Sequence, residues 1–114
     1  MNVTTVGIDL AKSIFAICEG DSRGHGGRSS LLKGGEFLKW LRTLPTGTVV
    51  AMEACSSAHS WGRTMQALDL EPRLIAAEFV RPYRKNQRIK NDTRDAEAVL
   101  TALRKRSSNH ALPG

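Results

Sequence analysis

No apolar run in this sequence approaches ~18 residues, so no segment reads as a membrane-spanning helix. The opening residues, Met1 to Thr5, carry no basic stretch ahead of an apolar core, and no secretory signal is expected there. Cysteine is scarce. Cys18 and Cys55 stand alone and do not form a close metal-type pair, so the expectation is two reduced, buried thiols in a cytoplasmic protein. Internal repeats and low-complexity segments are also missing. The 114 residues suit one domain, and 40% hydrophobic with 25% charged residues is ordinary globular composition, which excludes wholesale disorder.

Charge excess is missing from most of the chain and concentrated at one end. Residues 1–80 hold eight Lys/Arg and eight Asp/Glu, whereas residues 81–114 hold nine Lys/Arg against three acids, which accounts for the net charge of +6. A neutral body with a basic end points to a polyanionic partner on one side, the alternative being a solubilising tail.

The hydrophobic pattern predicts an α/β chain. Val3 to Leu10 reads as a buried strand in which Val6, Ile8 and Leu10 alternate with Gly7 and Asp9. Ala11 to Ser13 is a tight connection to a second strand, Ile14 to Glu19. Residues 20–30, with Gly20, Gly24, Gly26 and Gly27, read as a loop, and Arg28 to Lys33 gives only a weak third-strand signal. A helix is expected from Gly35 to Leu44, then a strand from Thr48 to Glu53. Another helix follows, capped by Ser56 or Ser57, with Ala58, Trp61, Met65 and Leu68 as its apolar stripe. A short strand runs from Arg73 to Ala76 after Pro72, and Arg81-Pro82-Tyr83 breaks the helix that begins near Ala77. Residues 84–90 form a basic loop. Asn91 to about Arg106 is a last helix with Ala96, Val99, Leu100 and Leu103 on one side, and residues 107–114 are a frayed tail. The order implies a mixed sheet with helices on both faces.

Carboxylates break this pattern in three places. Asp9 lies inside an otherwise uncharged strand, and burying an unpartnered carboxylate is costly. Glu53 ends a strand whose Val49 and Ala51 share its face. If these strands are parallel neighbours, the two acids lie side by side at the edge where open α/β sheets bind ligands. They then repel unless protonated or bridged by a cation, and Mg²⁺ suits oxygen ligands. Asp92 and Asp95, three apart, continue the apolar stripe of the last helix toward its start. A capping box explains that pair equally well, and a strand-end turn explains Asp9 alone.

In the order Val6-Gly7-Ile8-Asp9-Leu10-Ala11-Lys12, then Met52-Glu53-Ala54-Cys55 with His59-Ser60-Trp61, then Arg73 to Tyr83, then Lys90-Asn91-Asp92-Thr93-Arg94-Asp95-Ala96-Glu97-Ala98, the sequence resembles the DEDD transposases of the "IS one-ten" insertion-sequence group. The resemblance covers about residues 3–104. It implies a ribonuclease H-like (RuvC-like) catalytic domain over residues 1–106, with Asp9, Glu53, Asp92 and Asp95 holding Mg²⁺ or Mn²⁺. It also implies a C-terminal transposase domain bearing a serine nucleophile, a dimerising coiled coil, and a structured guide (bridge) RNA. None of these parts is expected within this chain, which reads as an excised or truncated domain of a prokaryotic, cytoplasmic, nucleoid-associated protein.

The expected chemistry is metal-assisted phosphoryl transfer, with paired ions ~4 Å apart clamping the attacking and leaving oxygens. Lys12, Arg81, Tyr83, Arg84, Lys85, Arg88 and Lys90 are the candidate nucleic-acid contacts: the cations neutralise phosphates and Tyr83 stacks on a base or meets sugar. The alternative is a solvated loop. His25, His59 and His110 have no metal-like spacing to acids, and Trp40 and Trp61 read as core. Competing functions are a non-catalytic nucleic-acid-binding fragment, a RuvC-like endonuclease, and an actin- or sugar-kinase-type nucleotide site. The last of these lacks its second glycine-rich phosphate loop here.

Overall fold

The computed structural model describes residues 5–10, 14–21, 26–84 and 92–110, with the side chains at 92–95 and 106–110 outside the description. Alternating apolar residues build β1 (Thr5–Leu10) and β2 (Ile14–Gly20), which pair antiparallel from Thr5↔Gly20 to Leu10↔Phe15. β3 (Gly26–Lys33) adds antiparallel to β2. It is longer than the weak signal suggested, because ladder pairing supplies what local propensity lacks. The predicted loop shrinks accordingly, and the register shifts between Glu19 and Gly20.

α1 (Gly34–Leu41) starts at Lys33, whose backbone N–H donates to Glu36 Oε1 at 3.3 Å. It ends three residues before the expected Leu44, although Leu44 still packs on the core. β4 (Val49–Glu53) then lies parallel to β1, and β5 (Glu71–Ile75) parallel to β4, with α2 (Ser56–Ala67) between them. The N-cap of α2 is Cys55, not a serine, and no side chain caps it; Ser56 is already helical. Cys55 is exposed, contrary to expectation, while Cys18 is buried. Pro72 sits within β5, tolerated because β5 is an edge strand in the order β3-β2-β1-β4-β5. The chain continues through α3 (Ala77–Val80), a 3-10 turn (Arg81–Arg84) and α4 (Asp92–His110), which runs past the predicted end at Arg106.

Two cores result. On one face Val6, Ile8, Phe15, Ile17, Val50 and Met52 pack against Phe37 and Leu41 of α1 and Ala58 and Met65 of α2. Trp61 closes this core edge-on, its ring centroid 4.8 Å from Phe37 and 5.6 Å from Phe15. On the other face Ala16, Cys18, Ala51 and Ile75 meet Val80 and Ala96, Val99, Leu100 and Leu103 of α4. The predicted apolar stripe of α4 is therefore the buried one, and Glu97 is exposed. This is a five-stranded mixed sheet with helices on both faces, compatible with the ribonuclease H-like fold expected from the sequence. Among the described residues no helix is long and apolar enough to cross a membrane.

Candidate metal and nucleic-acid site

The strand period of two fixes which way the acids face. Asp9 shares a face of β1 with Gly7, and Gly7 lies directly under α4: a Cβ there would stand 2.5 Å from the Ala96 carbonyl oxygen and 2.8 Å from Leu100 Cβ. Glu53 shares its face with Ala51, which packs in the α4 core. The parallel ladder pairs Ile8 with Met52, so one step further Asp9 and Glu53 stand level at the C-terminal ends of adjacent strands, about 4.8 Å apart across the sheet. Both side chains are partly buried, 24% and 25% exposed.

Arg84 spans the pair. Its Nη1 donates to Glu53 Oε2 at 3.2 Å and its Nη2 to Glu53 Oε1 at 3.1 Å, a bidentate fork. Nη2 also lies 3.8 Å from Asp9 Oδ1. Local structure explains how the arginine arrives there. Val80, fully buried, anchors α3 in the α4 core, and the following 3-10 turn packs along α4. That turn leaves Arg81 and Tyr83 exposed and turns Arg84 inward, with 26% of its side chain accessible. The guanidinium offsets the repulsion between the two carboxylates and so allows them to share one face.

The sequence-predicted residues divide into three groups. Asp9, Glu53 and Arg84 converge, although Arg84 was read as a phosphate contact; nothing in a 31-residue separation from Glu53 signals the pairing. Arg81 and Tyr83 are solvent-facing, as a phosphate- or base-contacting role requires. Lys12, Lys85, Arg88 and Lys90 lie outside the described residues; Asp92 and Asp95 belong to the first turn of α4, but their side chains lie outside the description. Among the described residues no three His, Cys, Asp or Glu side chains gather as a metal cluster. Among the described residues the donors that gather are the carboxylate oxygens of Asp9 and Glu53, hard oxygen ligands of the kind that suits a hard divalent cation. Gly7 is the residue whose importance the sequence understated. A glycine at a core-facing strand position is the available signal for a close backbone approach. His59 is exposed, consistent with a surface role.

A mixed five-stranded sheet with level acids at the ends of its two central parallel strands defines the class: an α/β domain of ribonuclease H-like architecture with an acidic site under its last helix. No family model matches the chain. Its curated relatives are transposases. It is 40% identical over 110 residues to the "Probable family 20 transposase" of Pseudomonas aeruginosa, covering 96% of this chain and 32% of that protein. It is 33% identical over 106 residues to the transposase for insertion sequence element IS1111A of Coxiella burnetii, covering 93% and 28%. It is 36% identical over 112 residues to the transposase for insertion sequence element IS1328 of Yersinia enterocolitica, covering 98% and 33%. The chain thus spans about a third of the length of the curated relatives it matches.

Proposed function

We propose that this chain is the N-terminal, metal-binding catalytic domain of a DNA transposase or recombinase of the DEDD type, acting in insertion-sequence transposition. The observation that carries the reading is the level placement of Asp9 and Glu53 on one face, beneath the helix that begins with Asp92. The relatives named transposases supply the reaction class. In this reading Asp92 and Asp95 complete the acidic set, which binds Mg²⁺ or Mn²⁺. The bound ion supplies Lewis-acid stabilisation of charge on the scissile phosphate.

The chain's own residues do the remaining work. Asp9 and Glu53 project from strands held in a sheet, so their spacing is set by the ladder rather than by a loop. Gly7 lets α4 settle on β1 and so fixes the start of that helix relative to Asp9. Arg81 and Tyr83, exposed on the 3-10 turn, orient a DNA backbone, together with Lys12, Lys85, Arg88 and Lys90. The same reading gives the full-length protein a serine nucleophile outside this chain, a structured guide RNA as partner, and homo-oligomerisation. A cytoplasmic, nucleoid-associated setting belongs to the same proposal.

Titration of Mn²⁺ into the wild type and into Asp9→Asn and Glu53→Gln, followed by calorimetry, tests the site. The wild type should bind, and each variant should bind more weakly by a factor on the order of ten or more. Equal affinity in all three, or strand cleavage by the longer protein that survives EDTA, would sink the assignment. A nucleic-acid-binding domain without cleavage is the second reading, favoured by the ion pairs of Arg84 with Glu53 and Asp9, which offset part of the acidic charge without a metal. It predicts DNA binding indifferent to both EDTA and Asp9→Asn.

A further inference from the structure

Arg84 engages the two carboxylates on which the proposed ion would depend, and the inference rests on that metal reading. Both oxygens of Glu53 are engaged by the guanidinium, at 3.1 and 3.2 Å, and the same Nη2 reaches toward Asp9 at 3.8 Å. A divalent cation bridging these two residues needs their oxygens at ~2.0–2.1 Å for Mg²⁺. It cannot share the inner side of the pair with a guanidinium, because two positive groups would then stand within a few ångströms in a partly buried site. We propose that Arg84 is a built-in counter-cation, which holds the Asp9–Glu53 pair together before metal loading and is displaced when a divalent ion binds.

Chain placement gives the displaced arginine somewhere to go. Arg84 is the last residue of the 3-10 turn; Arg81 and Tyr83 of that turn are exposed, and Lys85, Arg88 and Lys90 follow in sequence. Released from the carboxylates, the fork turns outward beside the exposed Arg81, where its bidentate geometry is suited to a phosphate's oxygens. Metal loading and nucleic-acid binding are then coupled, and by linkage each strengthens the other. Arg84 is a positioning residue in this scheme: it acts through the carboxylates it holds and the charge it frees.

The test compares Mg²⁺ and Mn²⁺ affinity of the wild-type chain and Arg84→Gln by calorimetry. A second readout in the wild type is the ¹⁵N-detected Nε–H resonance of Arg84 during Mg²⁺ titration. The expected results are binding about tenfold tighter in Arg84→Gln, as removal of one competing unit charge from a partly exposed site implies, and an Arg84 resonance that moves in step with the wild-type isotherm. Metal binding by both proteins with equal or weaker affinity in the variant overturns the counter-cation role and leaves the metal site standing. Absence of binding in both proteins overturns the metal reading along with it. Should Arg84→Gln fail to fold, the wild-type resonance decides: unmoved at saturating Mg²⁺, it refutes displacement.

Discussion

The two faces of the sheet are built from different materials. Under α1 and α2 the core is thick and aromatic: Phe15, Phe37 and Trp61 interlock, with the Phe15 and Phe37 ring centroids 4.3 Å apart. Under α4 the strands contribute Gly7, Ala16, Cys18 and Ala51, and the helix answers with Ala96, Ala98 and Ala102 among its buried residues. Small residues bring helix backbone close to strand backbone, and the acids sit on this thin face. The thick face supplies apolar burial. The thin face trades burial for a short, fixed distance between strand ends and a helix start, which is what the proposed ion would require.

Three substitutions and one chemical treatment probe this contrast, from the largest effect to the smallest. Phe37→Ala, which empties the centre of the thick face, should cost about 3–5 kcal/mol in urea unfolding. Mn²⁺ affinity, measured where the protein remains folded, should be unchanged. A cost under 1 kcal/mol would mean that the aromatic cluster is not the main source of stability. Gly7→Ala should cost about 1–3 kcal/mol by overpacking. The added methyl meets α4 backbone that cannot rotate away, so metal affinity should fall along with stability. A variant as stable as the wild type with undiminished Mn²⁺ binding would show that close approach of α4 does not set the site.

The smallest effect concerns Cys18. Its thiol is pushed up from its ordinary range chiefly by burial, with Glu97 and Glu19 adding in the same direction and a hydrogen bond with Ser29 opposing them. Below the unfolded thiol's pKa, about 8.5, neither state is ionised and the thiol's contribution is fully present. As pH rises from there toward the raised folded value, the unfolded chain releases its proton first and stability declines. Cys18→Ala should flatten that alkaline decline, measured as the denaturation midpoint against pH. At neutral pH a thiol reagent should modify Cys55 and spare Cys18 until the chain unfolds; equal rates at both would contradict the burial difference.

The Asp9–Glu53 pair of the candidate site was legible because its signals are local. An acid in an uncharged strand and a second acid ending a β-rich run can each be read within six residues. β3 was nearly invisible: Gly-Gly-Arg-Ser-Ser has little strand preference, and only pairing with β2 makes it a strand. The exposure of Cys55 was equally hidden, since Cys55, not a serine, is the N-cap of α2 just beyond the end of β4.

By itself the sequence determined the order of the elements other than β3 and the face on which Asp9 and Glu53 lie, because side-chain alternation along a strand depends only on neighbours in the chain. Tertiary structure decided that β1 and β4 run side by side, that Gly7 lies against α4, and that Arg84 reaches back across 31 residues to grip Glu53. Those outcomes depend on the path of the backbone through space. An ion pair or a helix contact between distant segments forms only where that path brings them within a few ångströms.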